Sequence, residues 1–190
     1  MNDDEMVRLL LSAMDCHLPT QSPLITFLQL RVASEGFIVQ HCAWAADHAL
    51  STLKVGERRL YLEKGFDKGK KADLALVPIE PGNNPIIFEF KTAWPGWPGA
   101  AEAIHKDLLK WKDKERAFSI VFLFCFDESP RWCPYGVIKG GSLDAVENAI
   151  SAKVGCKLFW QGTRFPLIAE GTKGTGQLAA WQLSHGETGC

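Results

Sequence analysis

The sequence predicts an α/β domain, and three observations carry that reading. Residues 58–64, 71–79 and 85–92 are successive apolar-rich runs, the last two separated by the turn-forming Glu80-Pro81-Gly82-Asn83-Asn84. Residues 100–115 then place Ala103, Ile104, Leu108 and Trp111 at helical spacing with charges between them. Phe118 to Phe126 follows as an apolar run broken only by Ser119, as expected of a strand covered on both faces. With a helix ahead of the first strand, the order is helix, three strands, helix, strand. A chain of 190 residues suits one domain, 1–190.

Taken in order, Met6, Val7, Leu9, Leu10, Leu11 and Met14 give residues 4–16 a helical spacing. Pro19, Ser22 and Pro23 break it, and Leu24 to Glu35 resumes it before Gly36 supplies a stop. From 37 to 56 no period dominates. Arg58 to Lys64 alternates, with Leu60 and Leu62 on one side and Arg59, Tyr61 and Glu63 on the other, as a half-exposed strand does. Pro95, Gly96, Pro98 and Gly99 end the third strand. Beyond Asp127 the sequence suggests a short strand at 136–139, a helix at 142–153 capped by Ser142, and a strand at 157–161. Gly171 to Gly176 reads as a flexible loop, without the spacing of a phosphate-cradling motif, before a last apolar segment at Leu178–Leu183.

Composition narrows the function classes. Hydrophobic residues at 46% and charged residues at 23% describe an ordinary globular protein. Lys plus Arg against Asp plus Glu is 21 against 22, so there is no global pull toward a polyanion or a membrane. The longest purely apolar run, Ile120 to Phe126, is seven residues, whereas a membrane-spanning helix needs about 20. Asp3, Asp4 and Glu5 precede Leu9 to Leu11, the reverse of a secretion leader. Cysteines at 16, 42, 125, 133, 156 and 190 show no C-x-x-C pair and read as buried thiols of a cytoplasmic protein. His41, Cys42 and His48 lack a fourth ligand at zinc spacing.

The chemistry concentrates in Lys71-Ala72-Asp73-Leu74-Ala75-Leu76-Val77 and Ile86-Ile87-Phe88-Glu89-Phe90-Lys91. Side chains alternate along a strand, so Glu89 and Lys91 share one face while Phe88 and Phe90 face the core. A hairpin folded about Gly82 pairs residues whose numbers sum to 162 or 164, which sets Asp73 across from Glu89 or Lys91. Two carboxylates and a lysine then converge. Hard oxygen donors of this kind suit magnesium, and the lysine is placed to orient and help deprotonate an attacking water. A merely solvated sheet face would also carry such residues.

This stretch, about residues 22–126, resembles the core of the PD-(D/E)XK phosphodiesterase superfamily, which includes restriction endonucleases and Holliday junction resolvases. The resemblance implies an αβββαβ core, with a mixed four-stranded sheet flanked by helices and residues 127–190 as elaboration. It also implies magnesium-dependent cleavage of nucleic acid, most simply DNA, with manganese able to substitute. Asp73 and Glu89 match the two acidic positions, both metal ligands. Lys91 matches the lysine beside the attacking water, and the Phe90 main-chain carbonyl completes the coordination. Ala72 stands where the motif has proline. An auxiliary glutamate on the preceding helix would be Glu35, at the helix end, with Glu63 on the first strand as the alternative. Lys106 matches the polar residue that the following helix often lends to such a site.

Charge supports a polymer substrate locally. Between 54 and 71 seven basic residues, including Lys68, Lys70 and Lys71, face three acids, and Lys106, Lys110, Lys112, Lys114 and Arg116 punctuate the next helix. Lys68, Lys70, Lys71 and Lys110 are the candidate phosphate contacts. Lysines on an amphipathic helix also serve simply as its solvated face. Trp94 and Trp97 could stack on bases, but capping the core between strand and helix is the better reading. Cutting both strands of a duplex needs two active sites, which points to a homodimer. The competing expectation is a catalytically inactive module of the same fold that binds nucleic acid or a protein partner.

Overall fold

The computed structural model describes residues 2–21, 34–53, 58–66, 69–80, 84–97, 99–113, 116–128, 142–153, 155–169 and 172–183. It is a mixed α/β architecture. The elements are α1 (Asp3–His17), a 3₁₀ turn (Leu18–Gln21), α2 (Ser34–Thr52), β1 (Arg58–Gly65), β2 (Lys71–Pro78), β3 (Ile86–Ala93), α3 (Ala100–Lys110), β4 (Ala117–Phe126), α4 (Leu143–Ser151), β5 (Cys156–Gln161), β6 (Phe165–Ala169) and β7 (Thr172–Leu183).

The strands form one seven-stranded sheet ordered β1-β2-β3-β4-β7-β5, with β6 also on β7. β1–β2 and β2–β3 are antiparallel, β3–β4 is parallel, and β4–β7 is antiparallel. The sheet is thus larger than the four strands expected of the core, and β7, from beyond residue 126, enters it beside β4 along Phe118–Phe126. β5 and β6 share the other edge of β7, against Ala179–Leu183 and Thr172–Gly176 respectively.

The sheet lies between two helical layers. α1 and α2 cover one face, burying Leu10, Leu11, Met14 and Cys42 against Leu74, Phe88, Phe90, Phe118 and Phe122. Full burial of each such side chain stabilises the fold by roughly 1.5–3 kcal/mol. α3 and α4 cover the other face, where Ile104, Leu108, Val146 and Ile150 meet Ala93, Val121, Leu123 and Trp181. Ala75, Ile87, Ala117 and Trp111 form a smaller cluster beside β2 and β3. Among the described residues no helix is long and apolar enough to cross a membrane.

The acidic start of the chain has a local purpose. Asn2 caps α1 by accepting from Glu5 N at 2.8 Å, and Glu5 returns the bond to Asn2 N at 2.9 Å. Asp3 and Asp4 favour the positive end of the helix dipole. They also reach outward, Asp3 to Arg58 at 2.8 Å and Asp4 to Arg116. Two members of the expected basic clusters are therefore spent on tethering α1.

Two expectations are corrected. Residues 34–52 form a 19-residue helix, with Glu35 in its first turn rather than at the end of the preceding one. Gly36 lies inside it. The proposed helix at 24–33 and the strand at 136–139 lie outside the described residues. The period was hidden because Ile38, Val39, Ala43, Ala45 and Ala46 are all buried while Trp44, between them, is exposed, so no narrow apolar stripe emerges. The glycine loop is also a strand: Gly174 and Gly176 lie in β7, pressed against the Cys125 carbonyl and the Phe126 and Phe165 rings. Cys16 is exposed, unlike buried Cys42 and Cys156, and all three thiols are free, as is that of half-buried Cys125.

Gly174→Ala should cost about 1–3 kcal/mol in urea unfolding, because a Cβ there meets backbone, which cannot yield as a flexible side chain can. An unchanged midpoint would show that β4 and β7 are packed more loosely than described.

Candidate active site

β2 and β3 pair with numbers summing to 162, through Leu76–Ile86, Ala75–Ile87 and Leu74–Phe88. The ladder stops there. The next pair of the same kind would join Phe90 to Ala72, so the divergence leaves the Phe90 amide and carbonyl facing the gap. Side chains fill it. Asp73 Oδ2 accepts from Phe90 N at 2.8 Å, and Lys91 Nζ donates to Phe90 O at 3.0 Å. Asp73 and Lys91 thus meet at the main chain of Phe90, next to Glu89.

On the other side of β2 the ladder skips Glu63 and Asp73, although Leu62–Leu74 and Lys64–Ala72 flank them. Glu63 has φ +47°, in the left-handed region, at a cost of about 1–3 kcal/mol for such a residue. This irregularity lies opposite Asp73. A cleft of about 370 Å³ lies there, lined by Glu35, Gln40, Leu62, Glu63 and Asp73. A second hollow of about 330 Å³ shares Gln40 and Leu62 with it and extends toward exposed Trp44.

Glu89 is only 5% exposed. Its Oε1 accepts from Lys110 Nζ at 2.7 Å and from Trp111 Nε1 at 2.5 Å. Burial pushes its pKa up and the charge of Asp73 adds to the rise, while Lys110 and Trp111 oppose it without cancelling it. Asp73 and Glu89 are therefore close enough to sense each other. Lys91 is held by Glu35 Oε1 at 3.0 Å and by Asp107 Oδ2 at 3.1 Å. Burial pulls the Lys91 pKa down, but Asp107 and Glu35 together outweigh it and the net shift is upward. Lys91 stays an ammonium at neutral pH, suited to orienting a water but not to deprotonating it.

Of the auxiliary candidates, Glu35 reaches the site through Lys91, while Glu63 lines the cleft and pairs with exposed Lys71 at 2.6 Å. Lys106 is exposed on α3. Lys70 donates to the Lys110 carbonyl at 2.6 Å and lies 3.9 Å from Asp113. Lys110 faces inward onto Glu89 rather than outward as a phosphate contact, and Lys68 lies outside the described residues. Trp94 and Trp97 stack on each other at 5.2 Å, with Trp94 also 5.6 Å from Phe124 and Trp97 against the α3 core cluster.

Sequence reasoning missed Asp107 and the inward role of Lys110 and Trp111. Their signal was the i, i+3, i+4 spacing on α3, which puts all three on one helix face beside the ends of Glu89 and Lys91.

Four carboxylates, those of Glu35, Asp73, Glu89 and Asp107, therefore stand among two ammonium groups, those of Lys91 and Lys110. The surplus is two negative charges, the complement of one divalent cation. Asp107 Oδ2 is a buried oxygen whose partner is the Lys91 ammonium at 3.1 Å. The donor set is thus of the hard, anionic kind magnesium takes. The carboxylates do not close into a cage, since no three His, Cys, Asp or Glu side chains among the described residues are grouped as metal ligands. The lysines sit between them.

A scan against protein-family models and searches of curated proteins and of solved structures found no match to this chain.

Asp73→Ala should destabilise the protein by about 1–3 kcal/mol by orphaning the Phe90 amide, whereas Asp73→Asn, which keeps an acceptor, should cost less. Chemical unfolding of both variants checks the order. For Glu89 the sign runs as follows: its folded pKa is raised, so the folded state binds more protons than the unfolded one above the ordinary value of 4.5. Its contribution to stability then falls as pH rises from 4.5 to the folded pKa. Glu89→Gln should flatten that part of the stability–pH curve, and parallel curves for the two proteins would refute the shift.

Proposed function

We propose that the chain is a metal-dependent nuclease of the restriction endonuclease-like, PD-(D/E)XK kind, hydrolysing phosphodiester bonds of DNA. The observation that supports it best is the bonding of Asp73 and Lys91 to the Phe90 main chain, next to Glu89, where β2 and β3 part. The strand order β1-β2-β3-β4, antiparallel twice and then parallel, with α2 before and α3 within, agrees with the αβββαβ core that the reading requires.

Asp73, Glu89 and the Phe90 carbonyl would hold magnesium or manganese. The ion supplies charge neutralisation for the phosphodiester as negative charge develops on it. Lys91, kept protonated by Glu35 and Asp107, orients the attacking water and stabilises charge on the phosphate. Glu35 and Asp107 act through Lys91 by fixing its ammonium. The cleft along Leu62 and Gln40 gives a chain-like substrate a path to Asp73. Cytoplasmic residence fits the free thiols of Cys16, Cys42, Cys125 and Cys156, and a homodimer would allow both strands of a duplex to be cut.

A second reading has one observation in its favour. Glu89 is already satisfied by Lys110 and Trp111, as it would be in an inactive module that uses the fold to bind nucleic acid or a protein.

Purified protein incubated with plasmid and linear DNA should cut in magnesium or manganese and stop on addition of a chelator. Lys91→Ala should lower the rate by about two orders of magnitude or more, the scale of losing a preorganised charged group at a reaction centre. Equal cutting by both proteins would indicate a contaminating nuclease, and no cutting by either would favour the inactive module.

A further inference from the structure

Two ammonium groups occupy the oxygens on which the metal reading depends. Lys91 Nζ lies 3.0 Å from the Phe90 carbonyl, and Lys110 Nζ lies 2.7 Å from Glu89 Oε1. The two lysines are not equivalent. Lys91 is anchored by Glu35 and Asp107, and its side chain is 21% exposed. Lys110 pairs with a single carboxylate among the described residues, Glu89, and its side chain is 33% exposed. It also donates to the Lys71 main-chain carbonyl on β2 and lies 5.0 Å from the centre of the Trp111 ring. It can leave Glu89 without breaking a second ion pair.

Glu89 needs such a partner. A buried carboxylate is costly unless a cation is paired with it, and the Lys110 ammonium at 2.7 Å is that cation. We infer that Lys110 is a resident counter-ion: a positioning residue that holds Glu89 ready and must release it for a divalent cation to bind, so that it sets the metal affinity and the charge selectivity of the site. The inference rests on the metal-site reading above.

Exchange explains the selectivity. Replacing an ammonium by sodium or potassium swaps one unit charge for another and gains little. Replacing it by a divalent ion adds a second charge against the four carboxylates, which Lys91 alone then balances in part, and this favours the exchange. No bond is formed or broken and no proton needs to move. Trp111 Nε1 keeps its hold on Glu89 Oε1 and preserves the carboxylate's direction while Lys110 departs.

The test compares Mn2+ binding to the full chain, by calorimetry and by the loss of free-ion electron paramagnetic resonance signal, for wild type, Lys110→Gln and Lys110→Arg. Lys110→Gln should bind Mn2+ about tenfold tighter or more, as expected when a competing unit charge is removed from a partly buried site, and Lys110→Arg should stay near wild type. Unchanged or weaker binding in Lys110→Gln would overturn the inference and leave the metal reading standing, since a merely supporting lysine would weaken the site when lost. No Mn2+ binding by any of the three proteins would overturn both.

A second measurement needs no variant. Amine-reactive labelling of the wild-type protein, read by mass spectrometry, should show Lys110 labelling rising saturably with Mg2+ and remaining flat with K+ at equal ionic strength. Labelling of Lys110 that ignores Mg2+ would also overturn the inference.

Discussion

The main chain of Phe90 is the constraint on which this structure turns. Its amide and carbonyl would belong to the β2–β3 ladder if the ladder continued, but pairing ends at Leu74–Phe88. A buried backbone donor or acceptor left without a partner costs free energy comparable to a lost hydrogen bond. Asp73 and Lys91 meet that demand. The same two bonds that heal the break in the sheet thereby fix a carboxylate and an ammonium within one residue of Glu89. Sheet geometry and site chemistry share a single cause.

Charge bookkeeping around that residue extends through both helical layers. Glu35 comes from α2 on one face of the sheet, while Asp107, Lys110 and Trp111 come from α3 on the other. Each bonds to a residue of β3. The site is therefore where two separate hydrophobic layers are joined electrostatically, and its charges are partly screened from water by both. Attractions and repulsions count for more in such a setting than on an open surface.

Much of this was legible from residue order because β-strands expose their pattern directly. Alternation and the turn at residues 80–84 put Glu89 and Lys91 on one face and gave the pairing sum within two, which the observed 162 resolves. The buried run at Phe118–Phe126 announced a central strand. What was not legible depends on partners distant in the chain. The buried stripe of α2 is blurred in sequence because Trp44 shares the exposed face with Gln40, Asp47 and His48, and Gly174 and Gly176 are required by the close approach of Phe126 and Phe165, not by a turn. The inward lysine was invisible for a related reason: Lys106 and Lys110 look alike in sequence, and only the position of Glu89 distinguishes the one that enters the site from the one that stays in solvent.

The placement of β7 has a consequence for how the chain comes into being. During synthesis from the N-terminus, β3 and β4 emerge well before residues 172–183, yet β4 is flanked in the finished sheet by β3 on one side and β7 on the other. Until that late strand arrives, the growing polypeptide presents a long apolar edge of ten residues to its surroundings. Such an edge invites pairing with a neighbouring chain, and a contact so distant in sequence forms slowly. Nascent chains of this protein therefore carry this aggregation hazard until β7 docks beside β4.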